Sequence, residues 1–245
     1  MKKICILLLA LAPAWVMAAG GYGIHLDKAN IDPTNKESLQ RGARLFVNYC
    51  LSCHAAALMR YERIGKDLGI DEKLVSENLM FTGGRVGALM TVATSPDDAK
   101  EWFGTVPPDL SVIARSRGVD WLYTYMRSFY LDDSKIIGVN NLVFPDVGMP
   151  HVLWELQGWQ EAVITTVKDE KGVEHKEVDL ELVEPGLMSP KEYDRAVRDL
   201  VNFLDYIGEP AKYERRELGV KVIMFLLLFL VVAYLMKRDF WRDVH

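Results

Sequence analysis

The sequence predicts a mostly α-helical exported domain with insertions, one of them a β-hairpin, followed by one C-terminal transmembrane helix. Three observations support this fold class. A short apolar run follows two lysines at the N-terminus, amphipathic helical stripes frame the middle of the chain, and a long uncharged apolar run lies near the C-terminus. Half of the residues are hydrophobic and 26% are charged with both signs mixed, which is typical of a folded chain and not of disorder.

The N-terminus carries an export signal. Lys2 and Lys3 precede a short apolar run, and Val16-Met17-Ala18 offers a small-residue cleavage site. Such a stretch is typical of a secretory signal peptide. We therefore expect residues 1–18 to be removed and residues 19–213 to fold outside the cytoplasmic membrane.

The net charge excludes one class of partner. The formal net charge is -5, and it becomes more negative when the N-terminal lysines are removed. Binding to a phosphate backbone requires an excess of basic side chains, which this chain lacks. We therefore expect no nucleic acid to bind, and a basic protein is a reasonable partner.

An amphipathic helix leads into the most informative motif of the chain. Asn35 is a candidate N-cap, and the apolar side chains after it recur at steps of three and four residues. A helix over 36–50 therefore runs into a C-x-x-C-H pattern. The chemically active side chains of this pattern are Cys50, Cys53 and His54.

The C-x-x-C-H motif is the attachment site of a c-type haem. Two thiols can add to the two vinyl groups of the porphyrin, and the spacer places Cys50 and Cys53 along one edge. His54 then meets the iron from the proximal side. A zinc site would need two more close ligands, and a thioredoxin-like pair would need a βαβ setting; neither is visible. Because cleavage removes Cys5, no other thiol remains for a disulfide framework.

The sixth iron ligand decides whether such a haem carries electrons or binds a ligand. Met149 lies in a loop punctuated by Pro and Gly, far enough along the chain to cross the ring. Met59 follows the motif too closely, and Met126 sits in an aromatic helix where packing is the simpler role. His151 and His25 are rival ligands, although a surface or propionate-side position suits each of them better. A His/Met pair fills both axial positions and raises the reduction potential, so it favours one-electron transfer.

Three further elements are predicted in the middle of the chain. A Pro-Pro-Asp sequence opens a short helix over 107–117, and an aromatic-rich stretch predicts a helix over 121–130. Alternating apolar and polar residues on either side of a polar turn containing Gly172 predict a β-hairpin over 163–183.

A long helix is predicted over 190–207. Ser189 and Glu192 form a capping box at its start, and Gly208 and Pro210 mark its end.

A single transmembrane helix is predicted over 218–236. The run is interrupted only by Lys221, and about 20 apolar residues span the hydrocarbon layer. A lysine one turn from the end of a span can reach the headgroups. Because the signal sequence exports the body, residues 237–245 would form a short cytoplasmic tail.

An ordered set of motifs resembles a known family. "YCLSCH", "VPPDLSVIARSR" and "FPDVGMP", followed by a single C-terminal span, closely resemble the bacterial form of the cytochrome c1 family. Members of that family are the haem subunits of the quinol to cytochrome c oxidoreductase (complex III) of the respiratory chain. The likeness covers nearly all of the exported region and the anchor.

The resemblance implies roles for individual residues. It implies one haem c bound covalently to Cys50 and Cys53, with His54 and Met149 as the axial metal ligands. Pro108 would pack against the haem edge near the proximal side.

The resemblance also implies a contact with a haem propionate. The family places an arginine after the Pro-Pro-Asp-Leu element, and we assign this role to Arg117 in preference to Arg115. Trp121 stands where the family can use a tyrosine, so this chain lacks that hydrogen bond. The second, disulfide-forming cysteine pair of some members is also missing.

The fold that the resemblance implies is that of a class I cytochrome c. The helix over 36–50 would cross the helix over 190–207, with Gly42 permitting their close approach. The hairpin and the segment 60–105 would be insertions.

The resemblance implies electron transfer without a catalytic side chain. The haem would accept electrons from a Rieske iron-sulfur protein and pass them to a c-type cytochrome, with the anchor beside a cytochrome b subunit in the bacterial inner membrane. One alternative is a free-standing, membrane-tethered monohaem cytochrome that shuttles electrons to an oxidase. Another is a haem sensor with an open sixth site.

Overall fold

A computed structural model of the chain describes residues 25–81, 83–168 and 174–242. Helices dominate this part of the chain, and its strands form three two-stranded antiparallel sheets. A long C-terminal helix follows. The predicted fold class, mostly helical with a β-hairpin and one apolar C-terminal helix, is thereby confirmed. The predicted signal peptide, residues 1–18, lies outside the described residues.

The elements follow one another along the chain with short connections. The helices are α1 (Lys36–Leu45), α2 (Tyr61–Leu68), α3 (Glu72–Asn78), α4 (Pro96–Phe103), α5 (Ile113–Arg117), α6 (Val119–Arg127), α7 (Trp154–Gln157), α8 (Pro190–Gly208) and α9 (Lys212–Phe240), with a π-helical turn (Phe46–Cys50) after α1. The strands are β1 (Ala56–Arg60), β2 (Leu89–Met90), β3 (Phe129–Leu131), β4 (Val139–Asn141), β5 (Gly158–Lys168) and β6 (Glu174–Pro185), paired β1–β2, β3–β4 and β5–β6.

The crossing of α1 and α8 forms the centre of the core. Asn35 caps α1 by accepting a hydrogen bond from the Ser38 amide at 3.0 Å. The helices approach so closely at Gly42 that an added Cβ would lie 2.1 Å from the Asp199 carbonyl oxygen and 2.7 Å from the Phe203 Cβ. The predicted role of Gly42 is therefore confirmed, and only hydrogen fits between the helices at this position.

A buried carboxylate ties the same two helices together. Asp199 of α8 accepts hydrogen bonds from the Ser38 hydroxyl at 2.6 Å and from the Arg41 guanidinium at 2.6 and 3.1 Å. Asn202 donates to the Ser38 hydroxyl at 2.9 Å. Because each buried polar group has a charged or hydrogen-bonding neighbour on the other helix, the network favours one register between α1 and α8.

The capping prediction at α8 is confirmed, and two other boundaries were wrong. The Ser189 amide donates to the Glu192 carboxylate at 2.9 Å as part of a capping box. The helix predicted over 107–117 begins only at Ile113, and the aromatic helix ends at Arg127 because Phe129–Leu131 pairs with β4 instead.

The predicted hairpin over 163–183 is confirmed and is longer than expected. Its strands run over Gly158–Lys168 and Glu174–Pro185, with a register shift between Trp159 and Gln160. The predicted turn around Gly172 lies outside the described residues.

The last helix is long and apolar enough to cross a membrane. The candidate span within α9 is Glu214–Phe240, and none of its apolar window is buried against the rest of the chain. Only residues 209–211 separate it from α8, and Lys212 pairs with Asp205 across this joint at 2.9 Å. The connection is therefore short and braced, unlike a flexible tether.

The N-terminal described segment is fastened to α6 by one carboxylate. Asp120 accepts hydrogen bonds from the Lys28 ammonium at 2.7 Å and from the Ala29 amide at 2.9 Å. Burial opposes ionisation of Asp120, but the hydrogen bonds from Lys28 and Ala29 outweigh it and lower the pKa below its ordinary 3.8.

Replacing Asp120 with asparagine should therefore destabilise the protein in a pH-dependent way. A carboxyl whose pKa is lowered on folding contributes stability above its unfolded pKa, and this contribution is lost as the pH falls through the folded value. We expect the Asp120→Asn protein to lose about 1 kcal/mol at pH 7 and almost nothing near pH 2. Denaturant titrations of both proteins at the two pH values measure this, and an equal loss at both would contradict the assignment.

Candidate haem-binding site

The two thiols stand at the end of the first helix. The amides of Cys53 and His54 donate to the Cys50 carbonyl at 3.1 and 2.8 Å, so the turn that closes the π-helical segment holds all three residues together. Both cysteines are free, Cys50 being buried and Cys53 half-buried. Burial, with a smaller contribution from Cys53, raises the pKa of the Cys50 thiol to about 12, so this thiol is neutral at physiological pH.

The proximal histidine is already oriented. The His54 Nδ1 atom lies 2.7 Å from the Pro108 carbonyl oxygen. A carbonyl oxygen can only accept, so Nδ1 carries the proton and the lone pair of Nε2 is left for a metal. The structure thus brings Pro108 to His54 through its main-chain carbonyl, a contact that the predicted haem-edge packing did not include.

Two side chains that the sequence reasoning missed hold Pro108 in place. The Asp109 carboxylate accepts from the amides of Ala57 and Ser111, both at 2.8 Å, and the Ser111 hydroxyl accepts from the Leu58 amide at 3.0 Å. Burial opposes ionisation of Asp109, yet these hydrogen bonds lower its pKa. The Asp-Leu-Ser spacing, typical of an Asx turn, is the signal that could have identified them.

Met149 lies against a buried tyrosine. The Tyr125 hydroxyl donates to the Met149 sulfur at 3.4 Å, and Met149 is half-buried at the edge of the core. Burial raises the pKa of Tyr125, so the hydroxyl keeps its proton. Tyr125 was missed because an aromatic residue in a helix gives no sign of which loop its hydroxyl meets.

Arg117 lies on the same side as Met149. Its guanidinium stands 5.2 Å from the Trp121 ring centroid, and Trp121 stacks on Tyr125 at 5.0 Å. Arg115 instead packs its side chain beside Gly208 at the end of α8. The geometry therefore separates the two arginines in the direction that the assignment of Arg117 requires.

The rival ligands occupy different positions. His151 is buried, stacked on Phe129 at 4.9 Å and edge-on to Trp159 at 5.9 Å, so the expected surface position was wrong for this residue. Desolvation lowers the pKa of His151 to about 4 despite hydrogen bonding from Gln157 and Gly158, and the ring is neutral. His25 is exposed, as expected.

The two remaining methionine candidates are core residues. Met59 of β1 and Met126 of α6 are both buried among apolar side chains. The packing role expected of Met126 accounts for its position.

The donor set fits a c-type haem. Two free thiols, an imidazole whose Nε2 keeps its lone pair, and a thioether whose sulfur has a second lone pair are the groups that such a haem requires. Cys50, Cys53 and His54 form one cluster with Pro108, while Met149 belongs to the cluster around Tyr125 and Trp121.

Comparison with known proteins gives the family. The model of the Cytochrome C1 family matches residues 177–244. Cytochrome c1 of Allochromatium vinosum is 52% identical, the match covering 100% of this chain and 99% of the relative. The ammonia monooxygenase gamma subunit of Nitrosomonas europaea is 49% identical over 100% of this chain and 99% of its own length. Cytochrome c1 of Rhodospirillum rubrum is 24% identical, with 97% and 94% covered. The chain therefore belongs to the cytochrome c1 family.

Proposed function

We propose that this chain is the haem-bearing electron-transfer subunit of a ubiquinol to cytochrome c oxidoreductase. One haem c would be attached through Cys50 and Cys53, with His54 and Met149 as axial ligands. The observation that carries this proposal is the 2.7 Å contact of His54 Nδ1 with the Pro108 carbonyl beside two free thiols. It orients the imidazole with Nε2 available, which is how a metal-binding histidine is held by its surroundings.

The side chains position the cofactor and set its potential, and none acts as acid, base or nucleophile. When bound, the haem supplies a one-electron couple between ferric and ferrous iron. Cys50 and Cys53 would keep it from dissociating, and His54 would hold the proximal side at fixed geometry. The soft sulfur of Met149 would favour the ferrous state and so raise the potential.

The membrane arrangement follows from the two ends of the chain. Residues 1–18 would be a signal peptide and residues 19–213 the periplasmic haem domain. Residues 218–236 would span the inner membrane and residues 237–245 would form the cytoplasmic tail. Because only 209–211 separate α8 from α9, the haem domain would be held at a constant height above the bilayer.

The partners follow from this arrangement. The span would pack beside a cytochrome b subunit, a Rieske iron-sulfur protein would deliver electrons to the haem, and a c-type cytochrome would remove them. The braced joint, with Lys212 bound to Asp205, favours a docked subunit over a tethered shuttle.

Purification from membranes in mild detergent tests the assembly. We expect a b-type haem and an iron-sulfur protein to accompany this chain through affinity and size-exclusion steps. Recovery of the haem-bearing chain alone, from membranes whose quinol oxidation is intact, would instead identify the free-standing shuttle.

Replacing Arg117 with alanine is expected to lower the reduction potential. Removal of a cation from a haem propionate leaves the carboxylate negative charge uncompensated, which favours ferric iron. We expect the ferric to ferrous equilibrium to shift by about three- to tenfold towards ferric. Arg115→Ala is the matched control, because Arg115 lies beside Gly208 and should leave the potential unchanged. The reverse result, measured by redox titration, would transfer the role to Arg115.

A further inference from the structure

One buried amide connects the start of the Met149 loop to helix α6. The Asn141 side chain at the end of β4 is buried, and its Oδ1 accepts from the amides of Val143 and Phe144 at 2.9 and 3.1 Å. Its Nδ2 donates to the Tyr125 carbonyl at 2.8 Å. Each polar atom of this side chain therefore has a partner, and the first residues of the loop are fixed relative to the last turn of α6.

The other end of the loop returns to the same region. His151, two residues after Met149, stacks on Phe129, and Phe129 meets the edge of the Tyr125 ring at 5.1 Å. The loop 142–151 is thus attached at both ends to the segment 125–129.

Tyr125 is the point where these contacts converge. Its carbonyl accepts from Asn141 and its hydroxyl donates to the Met149 sulfur. A thioether sulfur has two lone pairs, so a hydroxyl can donate to one while a metal takes the other. The position of the sulfur relative to the hydroxyl then depends on how firmly the loop is held.

We propose that Asn141 is a positioning residue for the axial sulfur, because it fixes the Met149 loop against Tyr125 and so sets how strongly Met149 binds ferric relative to ferrous iron. This inference rests on the proposed function. Loss of Asn141 would loosen the loop and weaken the sulfur contact. Loss of the Tyr125 hydroxyl would release electron density on sulfur. Both changes disfavour the ferrous state.

The test compares haem-bearing proteins purified from membranes. Redox titration and the near-infrared sulfur-to-iron band of the ferric form are recorded for the unmodified chain and for Asn141→Ala, Tyr125→Phe and the double variant. We expect each single change to shift the ferric to ferrous equilibrium by about three- to tenfold towards ferric. The shift of the double variant should be smaller than the two single shifts combined, because both act on one contact.

A matched control separates positioning from general loss of stability. Asn202 of α8 is also a fully buried amide, and its Nδ2 donates to the Asp32 carbonyl at 2.8 Å and to the Ser38 hydroxyl at 2.9 Å. Asn202→Ala should lower the unfolding midpoint as much as Asn141→Ala while leaving the potential and the near-infrared band unchanged.

The outcomes are distinguishable. An unchanged potential and band in Asn141→Ala, or the same shift in Asn202→Ala, would overturn the positioning role. If Asn141→Ala does not accumulate, Asn141→Ser with the Tyr125→Phe cycle decides by the same criteria. Absence of the near-infrared band in the unmodified chain would instead contradict Met149 as ligand, and with it the proposed function.

Discussion

Replacing Met149 with leucine is expected to lower the reduction potential by on the order of 200 mV and to abolish the near-infrared sulfur-to-iron band of the ferric protein. Leucine nearly preserves the volume of methionine, so the loop and its contacts should survive. The sulfur that favours ferrous iron is then the only group lost. Redox titration monitored by visible absorbance, together with a near-infrared spectrum, measures both effects.

Two controls make this result specific. Met126→Leu removes a buried core sulfur and should change neither the potential nor the band. His151→Phe keeps the stack on Phe129 but removes the rival ligand, and it should also be silent. A protein in which Met149→Leu is silent and His151→Phe is not would carry a different axial ligand. An unchanged ferrous spectrum and potential in Met149→Leu would indicate an open sixth site, as in a sensor.

Replacing Gly42 with valine is expected to prevent stable folding. A Cβ at this position would stand 2.1 Å from the Asp199 carbonyl oxygen, and backbone on the facing helix cannot yield as a flexible side chain would. The helices would have to separate along the centre of the core, at a loss of at least about 3 kcal/mol. Denaturant unfolding of the purified protein, with the yield of folded chain from membranes, measures the effect.

Gly219→Ala is the matched control for Gly42. Gly219 is also helical, in α9, and an added Cβ there meets nothing within 4 Å. Alanine has the higher helix propensity, so the control should be neutral or slightly stabilising. A Gly42→Val protein as stable as this control would mean that α1 and α8 do not cross as closely as the structure shows.

The elements that could be predicted are those whose causes are local. The stripe leading to Cys50, the capping box at Ser189 and the apolar run of α9 each depend on neighbouring residues along one helix. Gly42 was identifiable for a related reason, because a lone glycine in an otherwise regular amphipathic helix indicates close contact with another element.

The boundaries that were wrong depend on contacts between distant segments. The Pro-Pro-Asp sequence was expected to open a helix, but the side chains of Asp109 and Ser111 bind the backbone of residues 57–58 instead. The aromatic helix was extended too far because Phe129 has a strand partner in β4 that no local pattern reveals. Tertiary hydrogen bonds override local propensity in both cases.

The candidate site divides in the same way. Cys50, Cys53 and His54 lie within one turn, so their spacing alone predicts their chemistry. The contact of Met149 with Tyr125, and the burial of His151 in an aromatic cluster, arise only when the loop folds back on α6. A sequence identifies such residues as candidates without showing which of them meet.

The attachment of haem to the polypeptide is tested most directly by extracting the denatured protein with acidified acetone and staining the gel for haem peroxidase activity. We predict that haem stays with the unmodified chain and that a variant with both Cys50→Ser and Cys53→Ser retains none. Haem that is extracted from the unmodified chain, or a chain that never stains, would contradict the account.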